Sequence, residues 1–323
     1  MVGLPFCFSP LHMNTRNSVS SPAPCTFYLA GPTAVGKTDV ALAVAEKLGA
    51  EIVGCDAFQV YEGLPVLTAI PPPEALSQVP HHLIGEIPLS QSFDVAQYRT
   101  LALERITEIH NRGKPALVTG GTGMYLRALT RGLADLPPAD PTLRVELDSK
   151  GLEKLQERLW ELDPVGFSQV DLKNRRRVIR ALEVCILTGK PFSQFRQEWD
   201  TPLSDLKGVL LTRERTELNA RINRRVLEMF ESGVVNEVAN AGSVGTSAAQ
   251  ALGLREVQAV LEGELSLEEA ISRIQQATRH YAKRQITWFR KEPWLEPINL
   301  GVVPSLAETV RETIRILKGK TAS

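Results

Sequence analysis

The octapeptide Gly31-Pro32-Thr33-Ala34-Val35-Gly36-Lys37-Thr38 satisfies G-x-x-x-x-G-K-[ST], a pattern whose parts each answer to a bound phosphate chain. Glycines let the backbone curl so that its N–H groups point at anionic oxygens. Lys37 adds a full positive charge, the helix N-terminus that follows a partial one, and the Thr38 hydroxyl a ligand for Mg²⁺. Gly31, Thr33, Ala34, Val35, Gly36, Lys37 and Thr38 are therefore the candidate diphosphate-binding residues, with Thr38 the candidate metal ligand. The apolar run Thr26–Ala30 before the loop reads as a strand and Thr38–Leu48 after it as a helix, the context in which the pattern makes a phosphate site. An ordinary glycine turn would need neither the lysine nor the threonine. The loop specifies a diphosphate or triphosphate without choosing between them.

Two further strand ends carry polar residues. Glu51–Gly54 reads as a strand ending at Cys55-Asp56, and Pro115–Thr119 as another ending at Gly120-Gly121-Thr122. In open parallel sheets ligands lie outside the carboxyl ends of the strands, so the glycine loop, Asp56 and Thr122 converge on one edge. ATPases usually hold Mg²⁺ with an aspartate at the end of a second apolar strand, yet Pro115–Thr119 ends without an acid. Asp56 reads as a metal ligand, a general base or a strand-end cap. Its neighbours Cys55, Ala57, Phe58 and Tyr61 are weakly polar, so a carboxylate facing phosphate there needs a partner cation or proton.

The elements that must position these groups follow from periodicity. The first third alternates strands and helices, with Phe93–Asn111 a long helix before Gly113. That order predicts an α/β fold, a parallel sheet covered by helices on both faces. After Leu136-Pro137-Pro138 the pattern changes. Leu143–Leu162 and Arg175–Leu187 have helical spacing with no strand between them, and Val209–Thr212 reads as strand again. Residues 128–206 are therefore expected to form a helical insertion in a core made of 25–127 and 207–323. Further helices are expected at Arg215–Ser232, Arg255–Leu261 and Leu267–Lys291. Residues 1–24, rich in Ser, Pro and Asn, read as a disordered tail or as lying upstream of a true start at Met13.

Charge is balanced overall, with 37 Lys and Arg against 37 Asp and Glu, so affinity for a polyanion must come from local clusters. Two stand out. Lys173–Arg180 (KNRRRVIR) holds five cations and no acid, and Ile271–Lys291 holds Arg273, Arg279, Lys283, Arg284, Arg290 and Lys291, again with no acid. Solvated helices normally intersperse both signs, so an anionic polymer is the expected partner. On a helix, Arg273, His280, Arg284 and Lys291 share one face, while Ile271, Ile274, Tyr281 and Trp288 form the stripe that docks it.

The rest of the composition narrows the class. No apolar run approaches the length that spans a bilayer. The four cysteines are scattered and form no C-x-x-C, which suits a reducing cytoplasm and argues against a disulfide framework or zinc site. His81 and His82 are adjacent and point to opposite faces of an extended chain, so they read as structural. With no coiled coil, monomer is the default.

Several of these segments together resemble the tRNA dimethylallyltransferases. The resemblance runs from Phe27 to Arg290 and rests on Gly31–Thr38, Asp56–Tyr61 (DAFQVY), Gly120–Tyr125 (GGTGMY), Arg177–Val184 (RVIRALEV), Leu252–Glu256 (LGLRE) and Ala282–Arg290 (AKRQITWFR). It implies transfer of a dimethylallyl group from dimethylallyl diphosphate to the exocyclic amine of the adenosine 3′ of the anticodon. It implies that the glycine loop and Mg²⁺ hold the donor's diphosphate, that Asp56 is the general base with Thr122 beside the reacting centre, and that Lys37 and Arg255 neutralise the leaving group. It further implies that Asp56, Ala57, Phe58, Gln59, Thr122 and Gln250, Ala251, Leu252, Gly253, Leu254, Arg255 lie near the flipped base. By the same resemblance the anticodon stem-loop is gripped by Arg144, by Arg176, Arg177, Val178, Ile179 and Arg180, and by Lys283, Arg284, Gln285, Ile286, Thr287, Trp288, Phe289 and Arg290.

The chain departs from the family pattern at several points. Ala57 stands where a serine is usual. Val66–Pro71 (VLTAIP) replaces I-G-T-A-K-P, putting Ile70 in place of the lysine, Gly253-Leu254-Arg255 replaces G-Y-R, and Val170–Lys173 (VDLK) replaces H-P-N-D. Absence of a zinc finger after Arg290 gives the chain a bacterial look. Two rival functions use the same residues: a small-molecule or nucleoside kinase with ATP on the loop, and a non-catalytic RNA-binding protein.

Overall fold

A computed structural model describes residues 25–134, 136–197, 205–303 and 305–319. The expectation for residues 1–24 lies outside them. Six strands, β1 (Thr26–Ala30), β2 (Glu51–Gly54), β3 (His81–His82), β4 (Ala116–Gly120), β5 (Lys207–Thr212) and β6 (Leu295–Asn299), form one sheet in the order β3-β2-β4-β1-β5-β6. Every pairing is parallel. Registers Ala30↔Gly120, Gly54↔Thr119 and Ala30↔Leu210 bring the carboxyl ends of the central strands level, so the loops that leave them meet.

Alternation along each strand sends side chains to two cores. On one face Leu29, Ile52, Leu117 and Val209 pack with Val40 and Val44 of the helix Lys37–Leu48 and with Val310 and Leu317 of the helix Leu306–Lys318. On the other, Tyr28, Val53, Val118 and Leu210 pack with Tyr98 and Ile106 of the helix Val95–Asn111 and with Ile274 and Phe289 of the helix Leu267–Phe289. Both faces are covered, as the αβ alternation requires.

Between the helix Gly123–Arg131 and β5 the elements among the described residues are all helices, at Pro141–Asp148, Leu152–Leu162, Pro164–Gln169, Arg175–Thr188 and Phe192–Gln197. They close on a core of their own, made of Leu147, Leu155, Leu159, Val178, Ile179, Ala181 and Leu182. The single helix expected over Leu143–Leu162 is two, because Ser149 ends the first and Gly151, in extended conformation, caps the second. The helix expected from Phe93 begins at Val95. There Asp94 accepts from the N–H groups of Ala96 and Gln97, and Gln97 returns a bond to Asp94 N, a reciprocal cap that fixes the start.

His81 and His82 form the edge strand β3. The His82 ring nitrogen lies 2.8 Å from the buried Glu51 carboxylate, which also takes Arg112 and Lys114. These partners hold Glu51 down to about 2 against the opposing effect of burial. His82 is thus tied into an ion cluster, and the His81 ring nitrogen lies 2.6 Å from Val79 O; among the described residues no group of three or more His, Cys, Asp or Glu is placed to share a metal ion. No described helix is long and apolar enough to cross a membrane.

Candidate active site

The loop after β1 is held open from behind. Gly36 sits at φ 106°, a left-handed conformation that costs a side chain dearly, and Ala34 at φ 60°. Three arginines then stitch the loop in order. Arg213 Nε donates to Val35 O at 2.9 Å, Arg221 Nε to Ala34 O at 2.8 Å, and an Arg225 Nη to Thr33 Oγ1 at 3.1 Å. Two carbonyls and the Thr33 hydroxyl are engaged by arginines, and the Thr33 and Val35 N–H groups are taken by Gln285 Oε1 and Pro32 O, so an anion in this backbone cradle would draw on the remaining loop N–H groups. Arg221 and Arg225 lie one turn apart on the helix Arg215–Glu231. The chain signalled them by Arg221, Arg224 and Arg225 at i, i+3 and i+4, a helix face that motif reading passed over.

Lys37 completes the cradle. Its ammonium donates to Gly31 O and Pro32 O, both at 2.9 Å. Desolvation pulls it down to about 8, against the pull of Asp56, which favours the charged form. Arg225 is likewise lowered by burial and supported by Asp56. Asp56 therefore has the cationic partners that a carboxylate beside phosphate requires.

One cavity of about 340 Å³ collects these groups. Lys37, Thr38, Asp56, Gln59, Arg221, Arg225, Ala251, Leu252 and Tyr281 all line it. Asp56 Oδ1 accepts the N–H groups of Phe58 at 3.0 Å and Gln59 at 3.4 Å, so it caps its own turn. The Gln59 amide donates to Ala69 O at 2.8 Å and to Thr68 O at 3.3 Å, tying that turn to the short helix Pro65–Thr68. Thr122 does not line the cavity. Its hydroxyl accepts Ala57 N–H at 2.9 Å and its own N–H donates to Cys55 O at 3.1 Å. Tyr281, read from sequence as part of a docking stripe, instead lines the cavity, and its phenol is pushed up by burial and by Asp56. The donor set of Thr38 hydroxyl and Asp39 and Asp56 carboxylates at one cavity suits a hard cation such as Mg²⁺.

Arg255 departs from expectation. It is exposed at the start of the helix Leu254–Leu261 and is not among the lining residues. Gly253 turns the chain there at φ 92° while Leu254 anchors in the core, and this sends the next side chain outward. Arg221 and Arg225 occupy the place beside the loop that Arg255 was expected to fill.

The polyanion-facing set divides by burial. Arg176, Arg177, Gln250, Lys283, Arg284, Thr287 and Arg290 are exposed, and Arg176 donates to Gln250 Oε1 at 3.2 Å, joining insertion to core. Arg144 and Arg180 both bind the buried Glu183 carboxylate, at 2.9 Å and 2.5 Å. Val178 and Ile179, however, are buried in the insertion core, and Gln285 and Phe289 in the main one, with Ile286 and Trp288 half-buried against it. These six follow the inward stripe of their helices, and their packing sets the exposed cations in place. Ala57 and Phe58 are likewise half-buried against the core.

The family model for IPP transferase matches residues 59–292. The chain belongs to the IPP transferase family. Within that family it is 41% identical over 292 residues to a tRNA dimethylallyltransferase of Akkermansia muciniphila, covering 90% of this chain and 99% of that one. It is 44% identical to one of Geobacter sulfurreducens, over 86% of this chain and 94% of the relative. Among solved structures it resembles a full-length tRNA isopentenylpyrophosphate transferase from Bacillus halodurans (TM-score 0.65, 35% identity, 91% and 97% of the two chains). It also resembles a eukaryotic dimethylallyltransferase acting on tRNA (TM-score 0.76, 25% identity, 93% and 82%). The IPP transferase fold thus extends over the helical insertion as well as the sheet.

Proposed function

We propose that this IPP transferase moves a dimethylallyl group from dimethylallyl diphosphate to the exocyclic N6 amine of the adenosine next to the anticodon in tRNA. The observation that carries the reading is that the arginine-backed loop and Asp56 face one cavity. Names borne by relatives across nearly the whole chain support the substrate pair.

Departure of diphosphate from an allylic carbon leaves a delocalised cation, so most of the task is neutralising the leaving group. Loop N–H groups, Lys37, Arg221 and Arg225 would take that charge. Mg²⁺, held by Thr38 with the nearby carboxylates, would supply further neutralisation of the diphosphate. The adenine amine is a weak nucleophile because its lone pair is shared with the ring. Asp56, facing the same cavity, would accept its proton. A stacked base cannot reach the cavity, so the nucleotide must be extruded into it, passing the exposed Arg176, Arg177, Lys283, Arg284 and Arg290. The setting this reading expects is the cytoplasm, where tRNA is, with the protein acting as a monomer.

The deciding experiment incubates purified protein with labelled dimethylallyl diphosphate, Mg²⁺ and a tRNA carrying adenosine 3′ of its anticodon. Label in the tRNA supports the transferase. ATP turnover without prenyl donor would point to a kinase, and tight tRNA binding without label to a binding protein.

A further inference from the structure

The strand ladder ends one residue short of the two loops that matter. β1 and β4 stay paired to Ala30↔Gly120, after which one chain enters the phosphate loop and the other runs through Gly121 to Thr122. Beyond that point, among the described residues, one side chain hydrogen-bonds both loops. Gln285 Oε1 accepts Thr33 N–H at 2.9 Å, and Gln285 Nε2 donates to Gly121 O at 2.8 Å. The side chain is buried, at 5% exposure, so water does not substitute for either bond. Packing there is close: a Cβ on Gly121 would lie 2.3 Å from Gln285 Nε2.

The same helix faces two ways. Its inward side carries Gln285, while Lys283, Arg284, Thr287 and Arg290 on its outer side are exposed. A primary amide is the side chain that offers one donor and one acceptor at the spacing two backbone loops need. A carboxylate or a thioether of the same length loses one bond or both.

We propose that Gln285 is a positioning residue that couples the donor loop to the acceptor-side loop. RNA seated on the outer face of the helix fixes Gln285, which fixes Thr33 N–H and Gly121, so RNA and diphosphate each tighten the other's binding. This rests on the reading of the two substrates given above, and coupling is reciprocal by linkage.

The test uses the full chain with inorganic pyrophosphate and Mg²⁺ as one probe and an anticodon stem-loop RNA as the other. Calorimetry measures pyrophosphate affinity with and without saturating RNA. Wild type is expected to bind pyrophosphate at least ~5-fold tighter when RNA is bound, the lower end of ordinary coupling. Gln285→Met, lacking both bonds, should lose the enhancement, so that its own pyrophosphate affinity is the same with and without RNA. Gln285→Glu keeps the acceptor for Thr33 but faces Gly121 O with a second acceptor. It should lose coupling at pH 8 and regain it toward pH 5, as the buried carboxyl is protonated and becomes a donor. A merely structural glutamine would show no such acid rescue. Equal pyrophosphate affinity with and without RNA in wild type, or full coupling in Gln285→Met, overturns the proposal. Prenyl transfer by wild type is scored separately, so failure of the transferase reading is seen independently of the coupling.

Discussion

Thr122 Oγ1 accepts the backbone N–H of Ala57 at 2.9 Å, so the end of β4 holds the residue that follows Asp56. With the Thr122 N–H on Cys55 O at 3.1 Å, the two bonds clamp the Asp56 peptide from both sides. Thr122 thus acts on the cavity through Asp56, without lining it. Thr122→Val keeps the shape and removes the acceptor, leaving a half-buried N–H unpaired at a cost of roughly 1–3 kcal/mol. Turnover should fall at least ~10-fold, since small displacements at a reacting centre are costly. Thr122→Ser should retain most of the rate. Equal activity of the valine and serine variants in a labelled-prenyl assay would show that the clamp does not matter.

Asp56 has two separable tasks, capping its own turn and facing the cavity. Asp56→Asn keeps an oxygen for the Phe58 and Gln59 N–H groups but no longer takes a proton. It should melt within a degree or two of wild type and lose about 10²–10⁴ in turnover, the span of a lost general base. Asp56→Ala should lose the rate and also some stability. If the asparagine variant binds RNA much more weakly than wild type, Asp56 is holding structure and not accepting a proton.

Much of this is legible in the sequence alone. The strand–loop–helix around Lys37, Asp56 after β2 and Thr122 after β4 are local signals, and a parallel sheet necessarily gathers strand ends. What stays illegible depends on which way a helix is rotated. Gln285 and Lys283 stand two residues apart in one basic run, yet one bonds the phosphate loop and the other meets solvent. Val178 and Ile179 interrupt the Arg175–Arg180 cluster because they are its anchor. Arg225 lies 187 residues or more from any residue of the glycine loop, so no local spacing announces the pairing.

Arg225 and Arg255 offer a direct contrast. Arg225 bonds the loop and lines the cavity, whereas Arg255 is exposed and does not. Arg225→Lys loses the planar fork that reaches Thr33 while keeping charge. It should raise the KM for dimethylallyl diphosphate and lower kcat, together about 10²-fold or more in kcat/KM, a loss typical of one transition-state donor. Arg255→Ala should leave the donor KM within about 2-fold, since surface changes away from a site are usually mild. A larger donor effect at Arg255 would restore its expected role.

Lys37 makes donor binding depend on pH. Desolvation holds its ammonium at about 8 in the free protein, so above that value the folded chain binds fewer protons than the unfolded one. Stability of the free protein should therefore rise with pH from about 8 toward the ordinary lysine value. Bound diphosphate favours the charged form and draws a proton back. Donor affinity should be flat below pH 8 and fall above it, with a slope approaching one log unit per pH unit. Lys37→Met should bind weakly with no such break. Affinity of wild type that is unchanged from pH 7 to 9.5 would mean Lys37 stays charged throughout.

The basic run on the insertion contains two kinds of residue, and salt separates them. Arg176 and Arg177 are exposed, while Ile179 is 5% exposed within the insertion core. Replacing Arg176 and Arg177 with alanine should weaken tRNA binding and flatten its log–log salt dependence by roughly one unit for each phosphate that is no longer neutralised. Ile179→Ala removes packing and not charge. It should cost roughly 2–5 kcal/mol of stability, as buried aliphatic truncations do, and leave the salt slope of the folded fraction untouched. Fluorescence titrations of tRNA at several salt concentrations, beside thermal melts, read both quantities. An unaltered slope in the double arginine variant would place this cluster away from the RNA, leaving the helix Leu267–Phe289 to provide the grip from the core side alone.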